Sequence, residues 1–244
     1  MTINLKYPWF YLDEIPDKEN EVVLSDSEAR HATGSRRLEV GSRVCLFNGN
    51  GLVAVARIRT LGNRGKNPVL LLEEVAQQSP QRVAWHLASA LPKGDRQGVM
   101  LDMLTQLGIS SFTPLHCEHS VVKASEKSLS RFRRIVIESC KQSRRTFLPE
   151  IRPAASPLEV VRDSQGAVWF AHPDGSTPAQ LAQAIDNPKS LTIMIGPEGG
   201  FSEAEVQLMQ DQGAGKVSLG EAILRTETAA VALLSYAGLA IDPR

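Results

Sequence analysis

Glu198, Arg225 and Glu227 are the side chains best suited to chemistry in this sequence, because each sits beside an unusual turn. Glu198 lies within Gly196-Pro197-Glu198-Gly199-Gly200. Arg225 and Glu227 follow a second glycine-containing stretch, Leu219-Gly220-Glu221-Ala222-Ile223-Leu224. A carboxylate in such a turn can accept a proton or orient a water that does so. A guanidinium can stabilise developing negative charge or grip a phosphate. Glycines at these spacings let backbone turn tightly or approach a ligand closely.

The elements that must hold these residues can be read around them. Leu191–Ile195 is an apolar run that predicts a buried strand entering the first loop. Ser202 and Glu205 have capping-box spacing, which starts a helix just after that loop. The second loop lies between a short strand, Val217–Leu219, and an apolar helix over 227–239. Two strand–loop–helix units of this kind predict one small-molecule site at the carboxyl edge of a parallel sheet. Its expected lining is Ile195, Gly196, Gly199 and Gly200 from one loop, and Ser218, Leu219, Gly220, Ile223 and Leu224 from the other. The strand exit at His172-Pro173 is either a third wall or a plain turn. Neither loop fits the dinucleotide or nucleoside-triphosphate glycine patterns, which disfavours those ligands.

The rest of the chain divides by pattern. Short strands are expected at 9–12, 43–47, 52–58 and 69–75. Turn signals at Asn48-Gly49-Asn50-Gly51 and Gly62-Asn63-Arg64-Gly65 separate them, and a short helix after Ser25 carries Arg30 and His31. This predicts a small β-barrel domain over 1–76. After Gln77-Gln78-Ser79-Pro80, strands and helices alternate to the end, which predicts an α/β domain with a mostly parallel sheet over 80–244. The helix over 227–239 is apolar nearly all round and must be buried on most faces, in the core or at a subunit interface.

Net charge is zero over 244 residues, yet its distribution is uneven. Residues 1–78 hold 10 basic and 10 acidic side chains, 79–152 hold 12 and 6, and 153–244 hold 5 and 11. The basic middle includes a helix expected over 127–145 with an apolar stripe and a face of one sign. Lys123, Arg131, Arg133, Arg134, Arg144 and Arg145 are its candidate phosphate contacts, joined by Lys93. Arg30, His31, Arg36 and Arg37 form a smaller cluster of the same kind. His116-Cys117-Glu118-His119 lacks a second ligand pair at zinc spacing, so no metal is expected and a strand exit is the preferred reading. Three widely spaced cysteines predict reduced thiols and a cytoplasmic protein. No apolar run is long enough to span a bilayer, and the first residues lack a secretory core.

The two loops also carry a resemblance. Gly196–Gly200, Leu219-Gly220 and Ile223–Ala229 resemble the S-adenosylmethionine site of SPOUT methyltransferases. Pro92-Lys93, Leu107-Gly108-Ile109, Gln142-Ser143, Arg145 and Leu148-Pro149 extend the match toward the bacterial family that methylates N3 of a uridine in 16S rRNA. The resemblance implies a PUA-like RNA-binding domain at the N-terminus, a C-terminal deep trefoil knot, and a homodimer acting on the small ribosomal subunit. Uridine N3–H is a weak acid, so Glu198 or Glu227 would serve as base and Arg225 would stabilise the uracil oxygens. Family members usually have Glu where this chain has Gln106, often Gly-Arg at Arg144-Arg145, and Val-Leu-Arg at Ser35-Arg36-Arg37. Two alternatives stay open: a ribose 2′-hydroxyl methyltransferase acting on tRNA or rRNA, and a noncatalytic ribosome-assembly factor.

Overall fold

The computed structural model describes residues 3–32, 38–62, 67–185 and 188–242. Arg36, Arg37 and residues 63–65 of a predicted turn lie outside them. The chain forms two compact units, residues 1–80 with 140–148, and residues 81–139 with 149–244.

The first unit contains β1 (Trp9–Tyr11), β2 (Glu21–Val23), α1 (Asp26–Arg30), β3 (Arg43–Phe47), β4 (Leu52–Thr60) and β5 (Val69–Gln77). The strands form one sheet in the order β1-β3-β4-β5-β2, with β1 parallel to β3 and the other pairs antiparallel. Alternation along the strands sends Phe10, Val44, Leu46, Ala54 and Leu70 to one buried cluster. It sends Trp9, Cys45, Phe47, Val53 and Val55 to a second. Both faces are therefore covered, and β3 and β4 read as nearly unbroken apolar runs. At the hairpin between them, Asn48 Oδ1 accepts from the amides of Asn50 and Leu52 at 2.8 and 3.1 Å. The returning segment docks on that turn through Gly51 N to Thr146 O and Leu148 N to Gly49 O. Strand β2 was not foreseen, since its three residues bury only Val22.

The second unit alternates β6 (Ala84–Ser89), α2 (Arg96–Leu107), β7 (Ser111–Pro114), α3 (Glu126–Ser143), β8 (Glu150–Ile151), α4 (Pro157–Asp163), β9 (Ala167–Ser176), α5 (Pro178–Gln183), β10 (Ser190–Ile195), α6 (Glu203–Asp211), β11 (Gly215–Val217) and α7 (Thr226–Ile241). The last residues of α3, from Cys140, belong to the first unit. The sheet order is β11-β9-β10-β6-β7-β8, and every pairing among the described residues is parallel. All strand exits consequently lie along one edge.

Local chemistry sets the element ends. Ser156/Glu159, Thr177/Gln180 and Ser202/Glu205 form capping boxes at the starts of α4, α5 and α6. Among the element ends that differ from expectation, three bear on the sites. Helix α3 stops at Ser143 because Arg144 takes φ +57. Strand β9 continues beyond Ala171 to Ser176, because its pairing with β11 jumps from Phe170↔Lys216 to Ser176↔Val217. Strand β11 ends at Val217, which frees Ser218 and Leu219 for the loop. Helix α7 buries Ala230, Leu233, Leu234 and Ala237 and leaves Tyr236 and Leu239 exposed. No described helix is long and apolar enough to cross a membrane.

Cys45, Cys117 and Cys140 are buried free thiols. Burial pushes Cys45 up to about 11 and Cys117 and Cys140 up to about 12. Their thiolate fractions at pH 8 are therefore very small. Iodoacetamide at pH 8 should label all three at least about 100-fold more slowly than a free thiol, and rapidly once the chain is unfolded. Fast labelling of the folded protein would contradict this burial.

Candidate functional site

Three adjacent strand exits converge on one cavity of about 310 Å³. The first is the β10 exit. Ile195 is buried at the strand end, and Gly200 N donates to Pro197 O at 2.9 Å to close the turn. Gly200 has φ +74, a conformation that L side chains rarely adopt. A Cβ on Gly196 would lie 3.1 Å from the Phe201 ring. That ring is itself fixed, buried edge-on against Phe170 with centroids 5.9 Å apart. A side chain at Gly196 would therefore press on a core aromatic.

The second exit is that of β11. Ser218 N donates to Ser176 O at 2.9 Å, and Gly220 turns the chain at φ +111. The third is the register jump in β9. Residues 171–175 stand out of the ladder there, which brings Ala171, His172 and Pro173 to the cavity. A Cβ on Gly175 would overlap the Val217–Ser218 backbone, so only glycine permits this close return.

Every cofactor candidate named from the sequence lines this one cavity: His172, Ile195, Gly196, Gly199, Gly200, Ser218, Leu219, Gly220, Ile223 and Leu224. Phe201, Thr226 and Ala229 line it as well. Glu198 also lines it. Arg225, the N-cap residue of α7, is exposed between the lining residues Leu224 and Thr226, and its side chain lies outside the lining. Glu227 is nearly buried in the first turn of α7, its side chain 12% exposed.

Four contacts are not legible in the sequence. Arg96, at the start of α2, joins the two carboxylates, with Nη2 3.4 Å from Glu198 Oε1 and Nη1 3.4 Å from Glu227 Oε1. His119 Nδ1 donates to Gly200 O at 3.2 Å, and Glu118 N donates to Glu205 Oε1 at 2.9 Å. The His116–His119 segment follows β7, as expected, and braces the first glycine loop from outside. No group of three potential metal-binding side chains is poised together among the described residues.

The basic candidates separate by burial. Arg133, Arg134, Lys123 and Lys93 are exposed, while Arg131 approaches Asp95 at 3.6 Å. In the first unit Arg30 and Arg144 are exposed, and His31 and Arg145 are partly buried. Lys141, within the same basic stretch, is instead buried and paired with Glu28 at 2.9 Å. Such a face cannot be read from charge alone, because the same period-3.6 spacing serves both surfaces of the helix.

A larger cavity of about 710 Å³ reaches the opposite ends of β6 and β10, near Ala84 and Ser190. It contains none of the glycine loops, so the smaller cavity remains the candidate.

Fold and site together define an α/β protein with a ligand cavity over the carboxyl ends of parallel strands. Residues 78–238 match the RNA methyltransferase domain family, and residues 24–66 match the RNA methyltransferase PUA domain. The chain belongs to the RNA methyltransferase domain family and, within it, to the ribosomal RNA small subunit methyltransferase E group. One relative of that name, from Synechocystis sp., is 32% identical over 226 residues, covering 89% of this chain and 72% of its own. A methyltransferase structure from Legionella pneumophila, in complex with bound cofactor SAM, superposes with a TM-score of 0.87 at 28% identity, covering 96% and 98% of the two chains. A ribosomal RNA small subunit methyltransferase E from Neisseria gonorrhoeae, bound to S-adenosyl methionine, gives 0.86 at 27%, covering 95% and 97%.

Removing Arg96 leaves the nearly buried Glu227 carboxylate without its partner. Arg96→Met should cost about 1–3 kcal/mol in denaturant unfolding, and adding Glu227→Gln should recover part of it. A fully additive double variant would show that the two groups are not coupled.

Proposed function

We propose that this protein binds S-adenosylmethionine in the 310 Å³ cavity and methylates N3 of a uridine in 16S rRNA of the small ribosomal subunit. The observation that carries this reading is the meeting of three parallel-strand exits around one cavity whose wall includes Gly196, Gly199, Gly200 and Gly220. Backbone amides and carbonyls there can reach the edge of an adenine, as a cofactor without a nucleotide phosphate requires. When bound, S-adenosylmethionine supplies an electrophilic sulfonium methyl group, and in-line positioning supplies much of the rate.

The chain's own residues account for the rest. Uridine N3 must lose its proton as the new C–N bond forms. Glu198 lines the cavity and is the better placed acceptor, directly or through a water. Glu227, buried against Arg96, holds the guanidinium that positions Glu198. Arg225 is exposed at the mouth of α7, where it can stabilise charge on the uracil oxygens or grip a phosphate. Exposed Lys93, Lys123, Arg133 and Arg134 supply phosphate contacts from this unit, and Arg30 with His31 from the PUA unit.

The relatives' names support an rRNA substrate, and the resemblance supports N3 over the ribose hydroxyl. The same reading includes a cytoplasmic protein that acts as a homodimer, the pairing supported by the apolar exposure of Ile223 (96%) and Leu239 (78%). It also includes the deep C-terminal knot that the resemblance implies.

Small-subunit particles lacking the modification, incubated with protein and S-adenosylmethionine, should yield 3-methyluridine on digestion and mass spectrometry. A 2′-O-methyl nucleoside would replace the target, and no product on particles, naked rRNA or tRNA would favour an assembly factor. In the same assay Arg225→Ala should lower turnover at least about 100-fold with little loss of stability. Near-normal turnover would remove Arg225 from the mechanism.

A further inference from the structure

The first unit holds a concave site that the proposed methyl transfer does not use. A cavity of about 230 Å³ is lined by Lys6, Tyr7, Trp9, Lys141, Gln142 and Arg144, and no acidic side chain lines it. Trp9 is buried against Phe47, and the buried Lys141 is neutralised by Glu28, so these two form a floor. Lys6, Gln142 and Arg144 are exposed at the mouth, and Tyr7 is half-buried on the apolar cluster beneath. The side chains of Lys6 and Arg144 have no ion-pair partner among the described residues.

Arg144 adds an independent observation. It follows the last residue of α3 at φ +57, the left-handed region that glycine enters freely and other residues rarely do. Arg145 N then donates to Cys140 O at 3.1 Å and closes the helix end. Glycine would satisfy this backbone better. The chain instead places there an arginine whose guanidinium makes no ion pair among the described residues, and unfavourable backbone of this sort collects at functional sites.

We propose that this cavity is a separate RNA site that takes one unpaired nucleotide, its base against Tyr7 and its phosphate between Lys6 and Arg144. The proposal rests on the RNA-substrate reading above. Stacking on an aromatic ring accepts any base, and an arginine fork matches phosphate geometry. The Gln142 amide offers a donor and an acceptor to a base edge. An acidic peptide would satisfy the two cations but would leave the ring beside them unused.

The test uses the full chain, a fluorescein-labelled single-stranded RNA and a duplex of equal length. Arg144→Gly removes the guanidinium and relaxes the backbone together, so its Tm should equal or exceed that of the unsubstituted protein. Its Kd for single-stranded RNA should rise about 10-fold, and the slope of log affinity against log salt should flatten by about 0.7. Lys6→Ala should weaken single-stranded binding about 5-fold, and the duplex should be affected much less in both variants. Unchanged affinity and slope in both variants, in a protein that still methylates rRNA, would overturn the nucleotide site and leave the methyltransferase reading standing. If the unsubstituted protein neither binds nor methylates RNA, both readings fall. A lower Tm for Arg144→Gly would contradict the backbone argument, and Lys6→Ala would then decide alone.

Discussion

The candidate site depends on one constraint, the parallel adjacency of β9, β10 and β11. Parallel strands must be joined by crossovers that return the chain to the same end, so their exits share an edge. Here the three exits are neighbours, and the glycine loops they feed can enclose one volume. Gly175 lets the β9 bulge close onto β11, and Phe201, packed on Phe170, fixes how near the β10 loop can come. The cavity shape therefore follows from core packing beneath it, and a substitution in that packing would be felt by the ligand.

The carboxylates proposed for the chemistry reach this frame from different elements. Glu198 comes from the β10 loop and Glu227 from α7, and Arg96 of α2 gathers both. Helices α2 and α7 pack on one another, so that bond joins the site to the helical layer. The brace from His119 to Gly200 ties the loop after β7 to the same edge. The arrangement is a preorganised cradle, in which groups are held before any ligand arrives.

Much of this was legible in the sequence because it is local. Glycine spacing, the Ser202/Glu205 cap and the apolar run of β10 each act within a few residues, and they mark Ile195, Gly196, Gly199 and Gly200, which line the cavity. Pairings across long separations were not legible. Nothing near Arg96 says that it meets carboxylates more than a hundred residues later, and nothing in the charge of Lys141 says that it faces inward to Glu28. The register jump of β9 was hidden for a related reason. Residues 171–175 look like a strand exit, and only the backbone of β11 beside Gly175 brings the chain back into the ladder. Helix α4 was missed although Ser156 and Glu159 cap it, because its seven residues are too few to show a period.

The account is tested most directly by calorimetric titration of S-adenosylmethionine into the protein and into Gly196→Val. Its central claim predicts one ligand bound per chain in the unsubstituted protein. In the variant, binding should weaken at least about 100-fold in a protein that still unfolds cooperatively, at a somewhat lower Tm, because the added side chain crowds Phe201 at the cavity wall. Absence of binding in the unsubstituted protein, or equal affinity in both, would contradict it.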